Sequence, residues 1–97
     1  MKAVFIAYNQ AYNEEIIDIL DSFDQRGFTR WDEVSGRGSY FGEPHYGSHA
    51  WPVMNHAVLT MVPDDKAPAL LEALHEKDTQ FEDLGLRAFS WNIESMI

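Results

Sequence analysis

Between Ser35 and Pro52 the chain loses every hydrophobic period. This stretch holds four of the six glycines, two of the four prolines and two of the four histidines. In a chain of 97 residues, such a connection constrains everything else. Connections beyond ~12–15 residues are usually functional or disordered. The aromatics and potential ligands in this one favour function, and the fold has to be completed by the two flanks.

Both flanks read as α/β structure. Lys2–Tyr8 is apolar on both faces around Val4, Phe5 and Ile6, as a central strand is. Asn9 or Asn13 can cap a helix whose first turn carries Glu14 and Glu15. Ile16, Ile17, Leu20 and Phe23 then mark one face of that helix, and Gly27 is the expected stop. Phe28–Val34 reads as a second strand and Val53–Val62, beyond the loop, as a third. Pro63 ends the third strand, and Asp64 or Asp65 is the expected cap of a second helix. Pro68 pins the start of that helix, because proline is tolerated only in a first turn. Leu70, Leu71 and Leu74, extended by Phe81, form its buried face. After Gly85, Leu86–Ile93 is the last strand, with Phe89, Trp91 and Ile93 on one side. The order predicts an α+β, ferredoxin-like βαββαβ domain over 1–97, with the long loop at 35–52 between strands 2 and 3. Two helices cover one face of a four-stranded antiparallel sheet. The other face carries aromatics with no helix to bury them, so another subunit is the expected cover.

The formal net charge of -9 argues against nucleic acid and against an anionic membrane surface. It leaves cations, metal ions and basic protein surfaces as partners. There is no cysteine, hence no disulfide framework and no thiolate metal site. The apolar start is too short for a secretory signal, and no stretch nears the ~18 apolar residues of a membrane span. The expected setting is the cytoplasm, without direct membrane insertion.

Three sets of loop residues could carry chemistry. Gly36-Arg37-Gly38 allows a sharp turn that offers backbone N–H groups to an anion; the plain alternative is a strand-to-loop turn. Glu43, His45 and His49 are suitable ligands for a divalent metal ion. Their spacing is diagnostic only on a helix, which Pro44, Gly47 and Pro52 argue against, so solvated loop histidines are the plain alternative. Tyr40, Phe41 and Tyr46 are candidates for a partner-binding surface. No Ser-His-Asp order, paired-carboxylate signature or cysteine nucleophile suggests an enzyme. His56 with Trp91 is the one pairing that would suit a small cofactor-free ferredoxin-like enzyme.

Trp31-Asp32-Glu33-Val34-Ser35-Gly36-Arg37-Gly38, the long loop, and Val62-Pro63-Asp64-Asp65 before the second helix together resemble a PII-type signal-transduction protein. Tyr40, Gly42, Glu43 and Tyr46 fall within what corresponds to that family's T-loop. The resemblance implies a homotrimer with inward-facing sheets, a small ligand in clefts between subunits, and a loop that docks on a protein partner such as a membrane transporter or efflux component. It places Gly36, Arg37, Gly38 and Arg87 at the ligand site. It departs from the ATP-binding members at His75–Gly85, where carboxylates replace the glycine- and lysine-containing phosphate loop, so ATP is not the expected ligand. Related trimers serving divalent-cation tolerance fit the added His and Glu, and a metal-binding tolerance protein without a signalling partner is the second reading.

Overall fold

The computed structural model describes all of residues 1–97. Its main elements are β1 (Lys2–Asn9), α1 (Asn13–Ser22), β2 (Thr29–Val34), β3 (Asn55–Val62), α2 (Ala67–Gln80) and β4 (Arg87–Asn92), with a short 3-10 turn at Gln10–Tyr12. The strands form one sheet in the order β2-β3-β1-β4, and each neighbouring pair is antiparallel. This is the ferredoxin-like arrangement that the periodicity predicts.

Strand alternation divides the two faces. Val4, Ile6 and Tyr8 of β1 and Val58 and Val62 of β3 point to the helices. There they meet Ile16 and Leu20 of α1 and Ala67, Leu70 and Leu74 of α2, with Leu84 and Leu86 closing the end. Full burial of each large aliphatic side chain contributes ~1.5–3 kcal/mol. Thr60 is a polar exception on the inner face of β3. Its hydroxyl donates to Gly27 O at 2.6 Å and accepts from Gln25 Nε2 at 2.7 Å. The segment after α1 is thereby tied to the sheet, and the buried hydroxyl is satisfied.

The opposite face has no layer over it. Phe5 stands between Leu59 and Phe89, and Ala3 between Met61 and Trp91. Phe89 and Trp91 are each 50% exposed and Trp31 is 45% exposed. One row departs from this bulk. Trp31, Ala57, Ala7 and Arg87 run across the sheet in register, and the two central alanines leave a hollow.

Several boundaries differ from the sequence reading. Helix α1 stops at Ser22, well before Gly27. Asp24 takes the left-handed conformation instead, with φ 55. Its N–H donates to Asp21 O and that of Gln25 to Leu20 O, each at 2.9 Å, which is the Schellman termination normally given to glycine. Asp24→Gly is therefore expected to stabilise the fold by ~0.5–1 kcal/mol, read as a higher midpoint in urea. Neither Asp64 nor Asp65 caps α2. Lys66 holds the cap position without a side-chain bond, while Asp64 pairs with the amine of Met1 at 2.8 Å, which holds its carboxyl below the ordinary carboxylate range. Pro68 sits in the first turn as expected. Phe81 leaves the helix in extended conformation and packs on Tyr12. β3 begins at Asn55 and not at Val53.

Candidate functional site

The loop is two hydrogen-bonded excursions in series. The first is closed by a bridge between Gly36 and His45, with Gly36 N donating to His45 O at 3.0 Å and His45 N to Gly36 O at 2.8 Å. Its tip is a turn in which Gly42 N donates to Ser39 O, reinforced by Arg37 Nε donating to Gly42 O at 2.6 Å. The second is closed by Gly47 N to Val53 O at 3.0 Å. Within it, Ser48 N donates to Trp51 O at 2.8 Å and Trp51 N to Ser48 Oγ at 3.1 Å. Gly47 has φ +64, and a Cβ there would lie 2.7 Å from the Met54 side chain.

A bulge in β2 aims the chain into this base. Trp31 pairs with Ala57, yet Val34 pairs with Asn55, so one residue is extra. Glu33 absorbs it at φ 55. The added residue reverses alternation, and Val34 joins Trp31 beside the alanine hollow. The result is a cleft of about 520 Å³. Its floor is Ala7 and Ala57, its apolar walls are Phe5, Trp31, Val34 and Phe89, and its rim is Gly36, Arg37, Gly38, Asn55, Gly85 and Arg87. All four residues predicted for ligand binding thus share one cleft. The Gly36 amide is already bound to His45 O, whereas the amides of Arg37 and Gly38 have no acceptor within the chain. The Arg87 guanidinium lies 5.6 Å from the centre of the Phe89 ring.

Behind the Gly38–Gly85–Arg87 wall is a second, polar pocket of about 250 Å³. Glu43, His45, Asp78, Glu82 and Asp83 line it. Asp78 accepts from Leu86 N at 3.0 Å, and Asp83 accepts from the Tyr12 hydroxyl, a bond that raises the Tyr12 phenol above its ordinary range.

The predicted metal set is not assembled. His45 is buried and Nδ1 is 2.8 Å from Asn55 Oδ1. His49 is exposed in the second excursion, and Glu43 lines the pocket behind the cleft. No three His, Asp or Glu side chains in the chain converge as metal ligands. The loop spacing cannot bring them together because the bridge at His45 ends one excursion and His49 belongs to the next. The pairing of His56 with Trp91 also fails. His56 is opposite Tyr8 on the helix-covered face, whereas Trp91 is opposite Ala3 on the bare face. Tyr40 and Phe41 do stand out at the tip, 85% and 91% exposed, with rings packed edge-on at 4.8 Å. Tyr46 is exposed at the junction of the excursions.

Sequence reasoning missed Asn55, Ala7 and Ala57. The two alanines carry a readable signal: small residues in the middle of strands otherwise built from large ones. Asn55 carries none, since a polar residue at the start of a strand is ordinary.

No family model and no curated protein matches this chain. Solved structures do. CPII from Thiomonas intermedia K12, a nitrogen regulatory PII-like protein bound to ADP, AMP and bicarbonate, superposes with a TM-score of 0.72 at 19% identity, over 97% of this chain and 88% of that one. Its apo form gives 0.67 at 17% identity, over 95% and 89%. A PII-like signaling protein from Thermus thermophilus gives 0.67 at 22% identity, over 95% and 85%. At these identities the likeness is one of fold.

Proposed function

We propose that this chain, which has the fold of the PII-like proteins, is a cytoplasmic PII-like regulatory protein that acts as a homotrimer and binds, without catalysis, a small ligand in its clefts. The observation that carries the reading is the cleft itself. Free backbone amides at Arg37 and Gly38, two arginines and three aromatic walls surround one hollow on the uncovered sheet face. A cleft open on that face would be completed by the subunit that covers it. A ligand can reorder the loop only by binding two loop states unequally, and Gly36–Gly38 belongs to both loop and cleft.

The charge pattern narrows the ligand. The cleft offers amides and guanidinium groups to an anion, while Glu43, Asp78, Glu82 and Asp83 behind it repel a long phosphate chain. A planar group with a short anionic tail fits best, and the ADP and AMP present in CPII support that choice. Tyr40 and Phe41 would meet the protein partner, whose class, a membrane transporter or efflux component, follows from the PII resemblance. The metal-tolerance reading has no assembled ligand set to support it.

Calorimetry with AMP, ADP, ATP and bicarbonate tests the proposal. AMP or ADP is expected to bind more tightly than ATP, and Arg87→Ala to weaken binding ~10-fold or more, as loss of a charge-assisted bond does. Absence of binding by all four, or ATP bound most tightly, would overturn it. A zinc titration on the same protein checks the metal reading.

A further inference from the structure

We infer that His45 is the positioning residue of the cleft: it acts through Asn55 to hold the Gly36–Gly38 turn, and is not a metal ligand. The inference rests on the cleft being the ligand site and adds the part that shapes it. His45 is joined to the turn by its backbone, through the paired bonds with Gly36. It is joined to the sheet by its ring, through the 2.8 Å contact of Nδ1 with Asn55 Oδ1. Both side chains are buried, each residue being 4% exposed. An amide oxygen only accepts, so the contact requires a proton on Nδ1. Nε2 has no partner within the protein.

The surroundings are cut to this pair. A Cβ on Gly36 would lie 2.9 Å from Asn55 Nδ2, and one on Gly85 would lie 3.0 Å from His45 Cε1. Gly85 is also at φ +59, where a side chain is strained in any case. Glycine on both flanks thus leaves room for the imidazole and the amide to pair as they do. That arrangement fixes Gly36, spends its amide on His45 O, and leaves the next two amides without an internal acceptor at the rim of the cleft. A residue that merely filled space would not need the polar bond, because a buried pair replaced by apolar groups of the same shape is close to neutral in stability.

The test compares His45→Ala, His45→Asn and His45→Gln. Asparagine places its amide N–H near the position of Nδ1, and glutamine places it near Nε2. Amide exchange at Gly36 and AMP affinity by calorimetry are read for each. His45→Ala and His45→Gln are expected to lose ~10-fold in Gly36 protection and in AMP affinity, and His45→Asn to stay within ~3-fold of the parent. The nitrogen spectrum of the parent protein is expected to show His45 with its proton on Nδ1. Nδ1 without a proton, or unchanged Gly36 protection in His45→Ala, overturns the inference. So does His45→Asn failing as His45→Ala does while zinc binding is lost in both. If the parent protein binds none of AMP, ADP, ATP and bicarbonate, the ligand reading fails by itself. Gly36 exchange and the imidazole spectrum, which need no ligand, then decide the role of His45.

Discussion

Phe89→Asp is expected to convert the proposed trimer to a monomer at micromolar concentration, measured by sedimentation velocity. Phe89 stands half exposed beside Phe5 on the bare sheet face, in a patch continued by Trp31, Leu59, Met61 and Trp91. Covering that patch removes apolar surface worth ~25 cal/mol per Å². The aspartate loses that gain and also puts a carboxylate in an apolar contact, at a cost of several kcal/mol unless it finds a partner. In a closed ring the same change falls on every interface. The monomer is expected to stay folded, because the core lies on the other face. A parent protein that sediments as a monomer would remove the trimer from the proposal. A Phe89→Asp variant that remains a trimer would move the interface elsewhere.

The second large effect is alkaline. Tyr8 is fully buried, and its hydroxyl donates to Asn13 Oδ1 at 2.6 Å. Burial pushes its phenol up to about 12, with Asp32 adding to the rise and Arg30 opposing it. In the unfolded chain a tyrosine titrates near ~10. The folded pKa is the higher one, so the stabilisation is fully present below pH ~10 and is lost as pH rises toward ~12. A loss of up to ~2 kcal/mol over that window is expected, seen as a falling urea midpoint. Tyr8→Phe should start lower, since Asn13 loses its donor, and should then decline less steeply with pH. Parallel pH profiles for parent and variant would sink this account.

Much of the fold was legible because its signals are periodic. Val4, Ile6 and Tyr8 alternate, Ile16 and Leu20 recur at helical spacing, and Pro68 can stand only in a first turn. The helix stop at Asp24 was not legible, since Gly27 offered the usual residue nearby and a tertiary bond from the Thr60 hydroxyl used that glycine elsewhere. The bulge at Glu33 was hidden for a like reason: glutamate is a poor candidate for positive φ, and only the pairing with β3 imposes it.

The site was legible in part. Gly36, Arg37 and Gly38 declared a turn with free amides, and Arg87 could be placed beside them only through the PII resemblance. The hollow itself depends on cross-strand register, which brings Ala7 and Ala57 side by side from positions 50 residues apart in the chain. His45 shows the limit most plainly. In sequence it is a histidine in a glycine-rich loop, between Pro44 and Tyr46. Its burial comes from partners at Gly36, Asn55 and Gly85, and no local pattern announces them.

Because each loop excursion is closed by its own hydrogen bonds, the loop also offers two separate points for engineering. The outer turns at Tyr40–Phe41 and at His49–Ala50 are exposed and lie beyond their closing bonds. Such tips tolerate added residues well. A fluorophore or short epitope grafted at His49–Ala50 would leave the Gly36–His45 bridge untouched, and the protein could report on events at its first turn from a handle carried on its second.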